Sequence, residues 1–188
     1  PTWLLSAFTR RSVTVALGGD GGDELFLGYP TFRAHGIARA ARTLLPPPLS
    51  RGLLALAHAL VPVSARNVSL DYQLKRFLKG LGVGEWERHL VWFGAHPPDE
   101  QAALFLPGVL DPGFLAKGVF ADVQRTVDAF PGAHRLDLAA YLYMKLYLEN
   151  LVLRKVDIAS MAESLEVRAP FLDPEVVAFA ASCNPDLK

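Results

Sequence analysis

The amino-acid sequence encodes an α/β protein dominated by helix, and three features carry that reading. A short apolar, β-branched run, VTVAL (residues 13–17), has strand character. It ends against residues 18–23, GGDGGD, a composition that suits a tight turn from strand to helix. Most of the remaining sequence has helical periodicity cut by prolines.

Ahead of the strand, Trp3, Leu4, Ala7 and Phe8 recur at helical spacing and Arg10 and Arg11 lead into the run, so the order is helix, strand, turn, helix. A run apolar on both faces is the pattern of a strand buried in a parallel sheet between helical layers. No second strand of comparable quality follows. A lone central strand leaves backbone groups unpaired on both edges, at roughly 1 to 3 kcal/mol for each buried group, so its neighbours are expected before Pro1. Downstream, helices are predicted over residues 31–45, 49–60, 71–81, 85–95, 119–129 and 135 to about 164. Prolines 46–48, 62, 97, 98, 107, 112 and 131 mark their boundaries. A last helix over 175–182 has Asp173, before Pro174, as its cap. There is no internal repeat, low-complexity tract or clear linker, and 188 residues suit one domain or slightly more.

Composition narrows the field of functions. With 51% hydrophobic and 20% charged residues, the chain can bury a sizeable core. Its 19 basic residues balance 19 acidic ones, so no summed field draws it to nucleic acid or an anionic membrane. Any anion must be bound locally. The single cysteine, Cys183, forms no intrachain disulfide and suits a reducing cytoplasm. The longest apolar stretch, residues 52–63, falls short of the ~20 residues a bilayer span needs. The chain opens on Pro1 with no signal-peptide pattern and reads as part of a longer polypeptide.

Chemistry concentrates in the glycine turn. Where a buried strand ends and a helix begins, backbone amides converge and the helix N-terminus adds partial positive charge, which suits a phosphate. Neither common phosphate signature fits: there is no GK[ST], and GGDGGDE lacks the third glycine of GxGxxG. Asp20 and Asp23, with Glu24 beside them, repel a bare phosphate but accept one that arrives with Mg²⁺, a hard cation commonly shared between carboxylates and substrate phosphates. The competing reading makes Asp23 the N-cap of a helix over 24–27 and GDGG a plain turn. Spacing alone leaves both open.

The second dense region is LVLRKVDIASMAESLEVRAPFLDPE, residues 151–175. If the long helix continues through it, Asp157, Ser160, Met161 and Ser164 share one face, with Arg154 and Lys155 a turn earlier. Glu166 and Arg168 flank Val167 in an extended link that Pro170 fixes. By pattern alone, internal ion pairs and caps are the better account of these charges. His35, His58, His89, His96 and His134 have no metal-ligand spacing and read as structural or exposed, and no Ser/His/Asp nucleophile set assembles.

Taken together, the two stretches resemble the glutamine-dependent asparagine synthetase family. GGDGGDELFLGY (residues 18–29) is similar to the family's glycine and acid loop, LSGDGGDELFGGY, and VDIASMAESLEVRAPFLD (residues 156–173) is similar to its VDRASMAxSLExRxPFLD segment. The resemblance covers nearly the whole chain, including the opening PTWLLSAF. It implies that residues 1–188 are part of a synthetase domain of the ATP pyrophosphatase, or adenine nucleotide alpha hydrolase-like, α/β type, mostly helical here with one clear buried strand. The implied reaction activates the aspartate side-chain carboxylate with ATP and Mg²⁺ as an acyl-adenylate, from which ammonia derived from glutamine displaces AMP to give asparagine. The implied setting is cytoplasmic. The implied partners are these small molecules and the missing N-terminal part of the parent protein, with a homo-oligomer left open.

Carried over by residue, the resemblance implies that Gly18 and Gly19 touch the adenylate and that Gly21 and Gly22 complete the nucleotide-binding loop. Asp23 matches a magnesium-binding aspartate. Asp20 matches an acidic position near the acyl-adenylate, where a carboxylate orients ammonia or takes a proton from it. Glu24, Asp157, Glu166 and Arg168 are assigned supporting roles. Three positions depart from the family pattern: Gly18 stands where serine is usual, Leu27 where glycine is frequent and Ile158 where arginine is frequent. The N-terminal glutamine-hydrolysing cysteine, the SGGxDS pyrophosphate loop and a later phosphate-binding lysine are absent from this stretch, and Cys183 reads as a small core residue. Other acceptors, among them sugars, peptides or a lactam-forming substrate, stay open, as does a non-catalytic helical module that binds a partner.

Overall fold

Strand β1 (Val15–Leu17) lies beside a second strand, β2 (Glu166–Arg168), in a two-stranded parallel sheet. Val15 pairs with Glu166, Ala16 with Val167 and Leu17 with Arg168. A neighbour of β1 is therefore encoded in the chain, in the extended link around Val167. The computed structural model describes residues 1–62, 69–94, 98–106, 108–111, 113–114 and 118–188. It is mostly helical with this small sheet, an α/β arrangement, and divides into two compact units: residues 1–29 with 129–188, and residues 30–128.

The first unit holds α1 (Thr2–Arg10), β1, the single-turn α2 (Gly22–Leu25), α9 (Arg135–Leu142), a π-helical segment (Tyr143–Leu153), α10 (Arg154–Met161), β2 and α11 (Pro174–Ser182). Helix α1 packs on α10, and α2 touches α9, the π-helical segment and α11. Leu25, Ala140, Leu142, Tyr143, Leu148, Leu165 and Ala180 are buried in this unit. The long helix predicted from residue 135 forms, but its middle is π-wound and it stops at Met161. Asp173 caps α11 as expected, its Oδ1 accepting the Glu175 N–H at 2.9 Å.

The second unit is helical: α3 (Pro30–Leu44), α4 (Pro47–Leu60), α5 (Leu70–Leu81), α6 (Arg88–Phe93), α7 (Pro98–Ala103) and α8 (Ala121–Asp128). Its core joins Ala38, Ala57, Leu78, Leu81, Val91 and Trp92. Prolines open α3, α4, α7 and α11, where a fixed φ and a missing N–H cost nothing. The predictions at Val63, Ala95, His96, Pro97, Pro107 and Pro112 lie outside the described residues. Among the described residues no helix is long and apolar enough to cross a membrane.

Two expectations and one competing reading are corrected. β1 is not buried on both faces: Val15 is 39% and Leu17 73% exposed, and the strand alternates with Ala16 alone half-buried. β2 alternates in the same way, so a two-stranded sheet has one covered face and one open face. Asp23 does not cap α2. Gly21, at φ +92°, holds that position and reverses the chain first, leaving Asp23 inside the helix. Finally, Asp157, Ser160 and Met161 keep three-and-four spacing on α10, but Ser164 does not continue their face. Ser160 is buried, Asp157 and Met161 are exposed, and Ser164 lies past the helix end at φ +55°.

Candidate active site

Parallel pairing puts the segments that leave β1 and β2 on the same edge of the sheet. The Gly18 N–H donates to the Arg168 carbonyl at 2.8 Å, one step beyond the Leu17–Arg168 pair, and the Glu166 N–H donates to the Thr14 carbonyl at 3.0 Å at the opposite end. The glycine turn and the RAPFLD segment thus start side by side. They stay in contact as they leave the sheet. A Cβ on Gly21 would stand 2.9 Å from Leu172 Cγ, and one on Gly22 would stand 3.4 Å from the Phe171 ring. Phe26 meets Phe171 edge to face, with ring centroids 6.2 Å apart. The two dense stretches of the sequence therefore form one structural site.

The three acids of the turn divide by environment. Asp23 is exposed and Asp20 half-buried, with Asp20 Oδ2 folded over the strand end, 2.9 Å from where a Cβ on Gly18 would stand. Glu24 faces inward. It is 2% exposed and accepts the Tyr29 hydroxyl at 2.8 Å. Tyr29 stacks on Tyr143, with centroids 5.2 Å apart, and meets Tyr147 edge on. Burial first, then the bond to Glu24, push the Tyr29 phenol well above its ordinary pKa, so it remains a donor. The sequence marked Glu24 but not Tyr29; the signal was a glutamate on the apolar side of a helix, which requires a buried donor.

The second stretch contributes backbone more than charge. Arg168 supplies the carbonyl that fixes Gly18, while its side chain donates from Nε to Glu166 Oε1 at 2.7 Å in an exposed ion pair. Asp157 sits on α10, its carbonyl accepting the Ser160 hydroxyl at 3.3 Å, and no hydrogen bond ties it to the turn among the described residues. Leu27 adopts φ +56°, and the Gly28 N–H closes the end of α2 on the Asp23 carbonyl at 2.9 Å. The frequent glycine of the resembled pattern at this position thus has a backbone reason. No group of three or more His, Cys, Asp or Glu side chains that could hold a metal occurs among the described residues.

A family model described as asparagine synthase matches residues 1–188, the whole chain. The chain belongs to the asparagine synthase family. A putative glutamine-hydrolyzing asparagine synthetase of Mycobacterium tuberculosis (strain ATCC 25618 / H37Rv) is 32% identical over 182 residues, covering 96% of this chain and 26% of that protein. The glutamine-hydrolyzing asparagine synthetase 1 of Bacillus subtilis (strain 168) is 28% identical over 189 residues, covering 100% of this chain and 28% of that protein. The chain therefore spans about a quarter of the length of these curated relatives. No solved structure gives a significant match. The asparagine synthase family assignment covers both halves of the site, the glycine turn and the RAPFLD segment, within one matched region.

Proposed function

We propose that this chain forms one wall of the active site of an ATP-dependent, amide-forming ligase, an asparagine synthase of the glutamine-hydrolysing kind, in the cytoplasm. The observation that carries the reading is the Gly18 N–H bond to the Arg168 carbonyl, which joins the two family stretches at the C-terminal edge of a parallel sheet. In open α/β sheets that edge is where ligands bind. The fold we infer is of the ATP pyrophosphatase type, and aspartate is the acceptor by family membership.

The residues divide the work in this reading. Gly18, Gly19, Gly21 and Gly22 carry no side chains, so a nucleotide can come close to the backbone of the turn. Asp23 offers an exposed carboxylate. A single carboxylate suits a hard cation that takes its other ligands from water and phosphate oxygens, which is how Mg²⁺ is commonly held. When bound, magnesium neutralises phosphate charge. Asp20, half-buried over the strand end, orients ammonia and takes a proton as nitrogen attacks the activated carboxylate. Glu24, Asp157, Glu166 and Arg168 support the site from outside the reacting atoms.

The test uses the full-length parent protein, supplied with aspartate, ammonia and Mg-ATP. AMP, pyrophosphate and asparagine are expected in equal amounts. Asp23→Asn keeps the shape of the side chain but loses the charge that holds a hard cation, so it is expected to raise the magnesium needed for pyrophosphate release. Failure to form AMP, or an Asp23→Asn variant with wild-type magnesium dependence, overturns the assignment.

A further inference from the structure

The acid-bearing turn depends on α2, and a four-residue helix cannot fix its own position. Backbone at both of its ends is in the left-handed region, at Gly21 and at Leu27. Beside it lies a pocket of about 320 Å³, lined among others by Glu24, Leu25, Tyr141, Met144 and Val177, so packing around α2 is incomplete on that side. A directed bond supplements the packing that remains. Glu24, buried in the middle of α2, accepts the hydroxyl of Tyr29, which is stacked on Tyr143 in the π-helical segment.

We infer that Tyr29 is a positioning residue of the site, holding α2, and through it Asp20 and Asp23, against the π-helical segment by way of Glu24. The inference rests on the proposed ligase reading for the roles of Asp20 and Asp23, but the mechanical claim stands on geometry alone. Removing the hydroxyl leaves a buried carboxylate without its donor, the costly way to break a buried pair. The strain falls on the one-turn helix and reaches the acids at its start.

Two readouts on the full-length protein test this, one of them independent of activity. In Tyr29→Phe, deuterium exchange of residues 18–28 is expected to accelerate about tenfold while α11 stays at the wild-type rate, since the lost bond is local. The magnesium concentration for half-maximal pyrophosphate release is expected to rise about fivefold to tenfold, the range an ordinary hydrogen bond supplies, with the rate at saturating magnesium little changed. Glu24→Gln retains an acceptor of the same shape and is expected to keep the exchange of residues 18–28 near wild type. Unchanged exchange over residues 18–28 in a folded Tyr29→Phe protein overturns the inference. Faster exchange with unchanged magnesium dependence overturns its link to the acids. If Asp23→Asn is also without effect, the ligase reading fails instead, and the exchange result still decides what Tyr29 holds.

Discussion

Leu27 and Ser164 occupy the same backbone conformation, at φ +56° and +55°, and each ends a helix in the same way. The Gly28 N–H reaches back to the Asp23 carbonyl at 2.9 Å, and the Leu165 N–H to the Ser160 carbonyl at 3.0 Å. At the second end the Ser164 N–H also meets the Met161 carbonyl at 3.0 Å, completing a paired cap of the kind that usually has glycine in the left-handed position. The helices on which the two family stretches turn are thus both stopped by a residue with a side chain where glycine is the easier choice.

Ser164 gives the cleaner test, because its side chain is exposed. Ser164→Gly is expected to stabilise the protein by about 0.5 to 1 kcal/mol, relief of the left-handed penalty exceeding the entropy glycine gains in the unfolded chain. Ser164→Val should destabilise by about 1 to 2 kcal/mol, since a β-branched residue tolerates this region least. Urea denaturation of the three proteins settles the order, and a glycine variant no more stable than wild type contradicts it.

Gly21 is expected to tolerate no side chain. Its φ of +92° is open to glycine, and an alanine methyl would also strike Leu172, 2.9 Å from Cγ. Gly21→Ala should cost about 1 to 3 kcal/mol and shift the start of α2. Thermal melting reads the first effect, and the magnesium dependence of pyrophosphate release reads the second. A variant that melts with wild type and keeps its magnesium dependence removes Gly21 from the site.

These positions also mark what the sequence made legible. The strand, the turn, most helices and the Asp173 cap follow from local signals: β-branched apolar residues, glycine clusters, helical spacing and proline boundaries. The β1–β2 pairing did not follow, because EVR has too few residues to carry a strand signature and becomes one by pairing with a segment distant in sequence. The competing reading of Asp23 as a cap rests on aspartate being a common one, but glycine at φ +92° holds that position. The Glu24–Tyr29 bond spans a helix end, and no periodic pattern reports such a pair.

In the second unit, acid should weaken the fold through His89. Burial first, then the nearby His35, lower its pKa to about 3, while the unfolded chain titrates near the usual 6.5. The folded state thus holds a neutral imidazole where the unfolded state takes up a proton. Stability from this group is complete above pH ~6.5 and falls by up to about 1.4 kcal/mol per pH unit below it, reaching about 2 kcal/mol by pH 5. His89→Phe should flatten that slope. The measurement is urea denaturation at pH 7.5 and 5, followed by the fluorescence of Trp86 and Trp92, whose rings lie 6.0 and 4.7 Å from His35. An equal slope in both proteins assigns the acid sensitivity to other groups.

Asp20 carries the prediction closest to the chemistry. Its carboxylate is half-buried and folded over the end of β1, while Asp23 on the same turn is exposed. In the proposed ligase, two acids so placed suit different tasks: the exposed one a hydrated cation, and the half-buried one a neutral nucleophile that sheds a proton. Asp20→Asn keeps the size and the hydrogen-bonding carbonyl but cannot accept the proton. The first half of the reaction should therefore survive, with aspartate-dependent exchange of pyrophosphate into ATP within about threefold of wild type, whereas amide formation from ammonia should fall about a hundredfold or more, the usual yield of a positioned base. Gly18→Ala provides the matching geometric test, because its methyl would meet Asp20 Oδ2 at 2.9 Å and push the carboxylate aside. It should slow the ammonia step in the same direction with little loss of stability, since the displaced group is the end of a flexible side chain. Parallel loss of exchange and amide formation in Asp20→Asn would place Asp20 with Asp23 in nucleotide binding and leave the proton acceptor to another group.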